Sequence, residues 1–216
     1  MKQKLYQTTE GKILITGIIL SILLLLFIGY YAFIDIKISR TLILAFLAHA
    51  VGGRSAGIGL CIMNNFSAAA TIVYNFYLEI LIVFICYSIF VLTTTRYIRI
   101  PWLIRTMDNL AGKAAEQKDK IEAFGWIGIF FFVMAPLPFT GPVMGSIIAY
   151  LIRMPVSRNF SASLSGTLAA ILVWFYCFDF LEQRFGMIQY IFGGIVVLVL
   201  LARYKSVIRF FSGREI

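Results

Sequence analysis

Two ionisable residues stand inside apolar runs where charge is costly: Arg54, in Gly52-Gly53-Arg54-Ser55, and Glu79, near the middle of residues 66–93. Asn75 lies one turn before Glu79, on the same helical face. A charge at membrane depth costs about 2.5–3.5 kcal/mol even on insertion scales, so each residue needs a partner, water or a substrate. Two chemistries fit. Arg54 holds an anionic group while Glu79 takes and releases a proton, or the two form a buried ion pair that only fixes the fold. Ser55, Thr140 and Gly141 join the candidate binding residues because they stand where broken segments lead into helix N-termini. Such ends carry free N–H donors and a positive dipole end, which favour anions. Ser55 is placed to cap the first, and Gly141 followed by Pro142 suits the start of the second.

Other chemistries lack their residues. His49 is the single histidine, so a histidine-based metal site or triad has no partners. Cys61, Cys86 and Cys177 are far apart in apolar segments, which fits neither a disulfide framework nor a zinc spacing. No nucleophile–base pair stands out, so an enzyme is not expected and no cofactor is implied. Tyr74 and Tyr77 receive no specific role, and Phe130, Phe131 and Phe132 read as lipid-facing or packing residues.

The elements that must position Arg54 and Glu79 follow from hydropathy. Apolar residues make up 61% of the 216-residue chain and charged residues 13%, about half the usual charged share of a globular domain. Residues 13–34 run for 22 positions without a charge, enough to cross a hydrocarbon layer of about 30 Å. Gly29-Tyr30-Tyr31-Ala32 offers no signal-peptide cleavage site, so this is a retained transmembrane helix. A polar link over 35–40 follows. Residues 41–63 are apolar but interrupted at Gly52 and Gly53, and each half is too short to span. Residues 66–93 cross. Residues 96–123 are polar with an apolar stripe, Ile100, Leu103, Ile104, Met107 and Leu110, as in an interfacial amphipathic helix begun by Pro101. Residues 124–152 are again apolar and broken, by Pro136, Pro138 and Pro142, since proline removes a backbone donor and clashes inside a helix. Spans at 160–178 and 187–201 complete the chain.

Charge placement supports two re-entrant hairpins, 41–63 and 124–152. If both return to their own side and the N-terminus is cytoplasmic, 15 of the 19 Lys and Arg residues fall inside, as the positive-inside rule asks. Both termini are then cytoplasmic, the linker 96–123 is cytoplasmic, and the cell membrane is the expected location. The net charge of +9 is thereby accounted for without nucleic acid. Each hairpin is followed by one span, and the two units start from opposite faces. Asn65-Phe66-Ser67-Ala68 opens one span and Asn159-Phe160-Ser161-Ala162 the other. The expected fold is an all-α integral membrane protein of two inverted-topology units with flanking transmembrane helices, a plan common among secondary transporters.

Residues 123–174 resemble the small multidrug export protein family. Phe124-Gly125-Trp126-Ile127-Gly128 is similar to its aromatic-Gly-x-x-Gly start, and Ala135-Pro136-Leu137-Pro138-Phe139-Thr140-Gly141 to its Pro-Leu-Pro-x-Thr-Gly signature. Arg54 falls where the family has Glu-x-Arg-Gly-x-x-Pro, and Asn75 where it has Gly-Asn. Gly52 occupies the acidic position and no proline follows Arg54, so a mechanism relying on that glutamate would need another acid, with Glu79 the candidate. The family is similar in architecture to DedA-type proteins, whose two re-entrant hairpins are linked to translocation of polyprenyl-phosphate lipids. The inverted repeat, Arg54, Glu79 and the two facing half-helix ends point to a small secondary transporter or lipid flippase, proton-linked, acting on an anionic lipid or small-molecule substrate. A multidrug exporter of organic cations and a non-transporting membrane scaffold are the alternatives. A homodimer is compatible with so small a chain.

Overall fold

The computed structural model describes residues 8–95, 100–135 and 141–185. Eight helices account for nearly all of them. The expected span 187–201 and the break residues Pro136, Pro138 and Thr140 lie outside the described residues. The chain divides into two units, Met1–Phe175 and Tyr176–Ile216; all contacts below lie within the first.

Helix α1 (Thr9–Ile34) begins where the Thr8 side chain accepts a hydrogen bond from Gly11 N. It is apolar on all sides, and Leu25, Leu26 and Phe33 are exposed, Phe33 by 94%. A helix of that kind needs lipid or protein around it rather than water. It is one of three helices among the described residues that are long and apolar enough to cross a membrane, with Ala68–Thr94 and Val156–Phe178.

The polar link expected over 35–40 shrinks to one residue. Asp35 is extended and accepts from Lys37 N and Ile38 N. Its carboxylate satisfies two of the free donors of a new helix, so α2 (Ile36–Gly52) restarts at once. Gly53 stops α2 with φ 76° and ψ −169°, a combination essentially confined to glycine. Helix α3 (Arg54–Met63) then folds back along α2: a Cβ on Gly57 would lie 3.1 Å from His49 Cβ.

Ser67 caps α4 (Ala68–Thr94), the central helix, which packs against α1 and α3. Tyr77 donates to Leu20 O of α1 and Tyr74 to Leu42 O of α2, both at 2.7 Å. Helix α5 (Pro101–Glu122) carries Pro101 in its first turn. Its buried residues Met107, Ala114 and Ile121 recur every seventh position, a stripe that packs on α4 and on α7 (Pro142–Leu151). Helix α6 (Gly125–Met134) lies against α5 and α7, and α8 (Val156–Phe185) follows α7.

Two stretches share one layout. α3 and α7 each have ten residues. Two positions past each end stands a residue with φ 58°, Asn65 or Arg153, and three positions later a long helix begins. The fourth residue of each short helix is a glycine facing the eighth residue of that long helix: Gly57 faces Asn75, and Gly145 faces Ser163. The two Asn-Phe-Ser-Ala tetrapeptides are not the matching points. The first leads into α4 and ends on its first residue, whereas the second lies inside α8, which is already helical from Val156. The short helices run opposite ways along α4. α3 starts beside Glu79 and heads toward the N-terminal end, with Cys61 reaching Asn75. α7 ends with Tyr150 against Tyr87 and Phe90, toward the other end.

Close backbone approach makes this packing sensitive to single methyl groups. A Cβ on Gly166 of α8 would stand 2.6 Å from the backbone oxygen of Phe130. Gly166→Leu should therefore cost about 1–3 kcal/mol by overpacking, read as a lower thermal transition in detergent. Gly29→Ala, with nothing within 4 Å of the new methyl, should leave the transition unchanged or raise it. Equal melting of Gly166→Leu and wild type would contradict the α6–α8 contact.

Candidate functional site

Arg54 is the first residue of α3, set directly after the Gly53 break. Its side chain faces two ways. Nη1 donates to Val133 O at 3.1 Å, a carbonyl in the last turn of α6 that has no partner within its own helix. Nε lies 3.4 Å from Glu79 Oε1. Arg54 thus joins the end of α6 to the middle of α4. Gly141, which precedes α7, is beside it: a Cβ there would be 3.8 Å from Nη2. The starts of α3 and α7 therefore meet at this guanidinium.

Glu79 has a second basic neighbour. His49 Nε2 is 3.6 Å from the same Oε1 atom, and His49 Nδ1 is 3.3 Å from Asn75 Oδ1. Asn75 is completely buried; its Nδ2 donates to Thr71 O at 2.9 Å and approaches Cys61 Sγ at 3.8 Å. The glycine at 57 permits this network, because a Cβ there would be 2.5 Å from Asn75 Oδ1 and 3.0 Å from His49 Nδ1. His49, Asn75 and Glu79 are all buried, so the electrostatic interactions among them are little screened by water.

The structure brings Arg54, Glu79, Asn75 and Gly141 to one place. Ser55 does not cap α3; Gly53 is the cap residue, no side chain fills the role, and Ser55 lies inside the first turn. The glycine-only backbone at Gly53 sets the helix start two residues earlier than a Ser55 cap requires. Gly141 and Pro142 do occupy the cap and first positions of α7.

His49 was missed, since a lone histidine in sequence has no visible partner. The signal that could have found it is the Gly53 break: a chain folding back there sets the last turn of α2, with His49 in it, beside Gly57. Among the described residues no group of three His, Cys, Asp or Glu side chains could hold a metal ion.

A second feature lies among α1, α2 and α4: a cavity of about 770 Å³ whose wall includes Phe27, Tyr31, Phe66, Tyr74 and Tyr77, with Asn64 and Asn65 on the turn before α4.

The family model described as "Putative small multi-drug export protein" matches residues 54–173, more than half of the chain. The chain belongs to this family. Membership points to a membrane transporter, in agreement with three membrane-capable helices. The match to the small multi-drug export family begins at Arg54 and takes in Asn75, Glu79 and Gly141, while α2 with His49 lies before it. The chain matches no curated protein and no solved structure.

Removing one partner from a buried pair leaves an uncompensated charge, at a cost of about 3–5 kcal/mol, whereas replacing both by apolar residues is often neutral. Arg54→Met and Glu79→Met should each destabilise the purified protein, and the double variant should unfold later than either single one. Losses that simply add would show that the two side chains do not interact.

Proposed function

We propose that the chain is a proton-linked secondary transporter whose site is the Arg54–Glu79 pair, set between two re-entrant hairpins, α2–α3 and α6–α7. A ten-residue helix is about 15 Å long, half of a hydrocarbon layer of about 30 Å. Helices α3 and α7 both start next to Arg54 and leave it in opposite directions along α4. That arrangement supports an inverted repeat whose two breaks meet at membrane depth, where non-helical backbone must be enclosed by protein or line a wet cavity. The architecture is DedA-like in this reading, with Glu79 supplying from α4 the acid that Gly52 lacks. The cell membrane with cytoplasmic termini is the placement that the Lys and Arg distribution favours.

The observation that carries the reading is that Arg54 is already neutralised by Glu79 at 3.4 Å. An anionic head group, such as a polyprenyl phosphate, competes with Glu79 for the guanidinium. A proton on Glu79 removes the competitor and leaves Arg54 to pair with the anion; loss of that proton lets Glu79 reclaim Arg54 and expel it. Proton and anion then move together.

A second reading rests on the aromatic cavity near Tyr74 and Tyr77, which suits a lipophilic cation through cation–π attraction. Such a cation would have to displace Arg54 to reach Glu79, so the anionic reading is preferred.

The test is transbilayer movement of a fluorescent polyprenyl-phosphate analogue in proteoliposomes. Arg54→Ala should slow it by about tenfold or more, the loss of one charge-assisted hydrogen bond of about 1.5–3 kcal/mol. Wild-type rates in a folded Arg54→Ala protein would remove Arg54 from the site. Efflux of a lipophilic cation that depends on Tyr74 and ignores Arg54 would favour the second reading.

A further inference from the structure

The amide of Asn75 determines which nitrogen of His49 carries its first proton. Asn75 Nδ2 points at the carbonyl oxygen of Thr71, 2.9 Å away, and a carbonyl can only accept. The amide is therefore oriented with Oδ1 toward His49, and an amide oxygen is also only an acceptor. Its neighbour Nδ1, at 3.3 Å, must donate. In a neutral imidazole the other nitrogen, Nε2, then bears a lone pair. That nitrogen faces Glu79 Oε1 at 3.6 Å, with both side chains buried. A lone pair facing a carboxylate is repulsive, and burial strengthens the repulsion. One additional proton, on Nε2 or on the carboxylate, turns it into attraction.

We infer that His49 and Glu79 form one proton-binding site, in which Asn75 holds the first proton on Nδ1 and directs the exchangeable one to the space between Nε2 and the Glu79 carboxylate. Gly57 is the enabling residue, because any side chain at that position would intrude on the Nδ1–Asn75 hydrogen bond. Asn75 acts here as a positioning residue. The groups around the site are few. From α3 come the Arg54 guanidinium, through Glu79, and the Cys61 thiol, through Asn75. From α4 come Glu79 itself and Tyr74, whose hydroxyl is engaged by Leu42 O. Helix α1, which also packs on α2, carries its charges only at Glu10 and Lys12, near its start.

The charge balance ties the site to the proposed anionic cargo, and to that extent the inference rests on that reading. Without the exchangeable proton, Arg54 and Glu79 cancel and the cluster is neutral. With it, the cluster is singly positive wherever the proton sits between the two groups. Uptake of one proton thus creates the surplus positive charge beside Arg54 that one negative charge on a head group would neutralise. The proton enters from water on one side and returns to water on the other; no covalent bond other than the N–H or O–H is made or broken.

His49 is the single histidine of the chain, so ¹⁵N-imidazole labelling reports on this site alone, provided the affinity tag contains none. The full chain, labelled and reconstituted in lipid bilayers, would be examined by solid-state NMR over a series of pH values. Nδ1 should remain a protonated nitrogen throughout, while Nε2 changes state. In Glu79→Gln the exchangeable proton should be held less tightly, because the carboxylate that favours it is gone. Gly57→Ala should turn the single Nδ1–H form into a mixture of tautomers.

The opposite tautomer, an Nε2 that never changes state, or an Nε2 whose titration is the same in Glu79→Gln would each overturn the inference. Transport reports separately. Lipid movement lost in Arg54→Ala together with an inert Nε2 keeps the transporter reading and rejects this proton site. A titrating Nε2 in a protein that moves no lipid keeps the site and rejects the cargo.

Discussion

An arginine within an apolar chain must be neutralised before anything around it can settle, and much of this fold serves that end. Glu79 supplies the opposite charge and Val133 a carbonyl acceptor. Those two groups come from different helices, α4 and α6, so satisfying Arg54 fixes where both run. Burial of such a pair is seldom a net gain in stability, because desolvation offsets most of the attraction. Its structural effect is to exclude alternatives: any packing that separates Arg54 from Glu79 leaves a buried charge unpaired, at a cost of several kcal/mol.

Glycine provides the room that this arrangement needs. Gly53 adopts a backbone closed to other residues, which ends α2 and turns Arg54 inward. Gly57 lets α3 come close enough for His49 to meet Asn75 across it, and Gly145 does the corresponding job where α7 meets α6 and Ser163. The polar contacts and the close backbone approaches are therefore one design: small residues bring helices together, and buried polar side chains then find partners within reach.

Much of this was legible beforehand, for physical reasons. Long uncharged runs specify membrane-capable helices, and α1, α4 and α8 lie where hydropathy places apolar spans. Gly53 and Pro142 mark breaks because their backbones allow little else. The importance of Arg54 and Glu79 could be read from the cost of charge in an apolar run. What could not be read was pairing across the hairpin. His49 is four residues before a glycine whose φ decides the direction of return, and nothing in the sequence states that φ. The restart of α2 at Ile36 was hidden for a similar reason: Asp35 looked like part of a polar link until its carboxylate was seen accepting two backbone N–H groups. The paired Asn-Phe-Ser-Ala tetrapeptides were no guide to local structure, since one leads into α4 and the other lies inside α8.

Helix α2 is bounded at each end by a single non-helical residue, Asp35 and Gly53. Mechanically it is a rigid bar between two one-residue joints, with no length of loop to absorb a partial shift. Any displacement would have to carry its 17 residues as one body, swinging His49 at one end against Ser39 near the other. Besides the packing of Leu42 and Ala45 in the core, the polar fastenings are Ser39 Oγ to Ile28 O, Tyr74 hydroxyl to Leu42 O, and the contacts of His49 itself. The imidazole thus ties the end of that bar to the carboxylate at the centre of the fold.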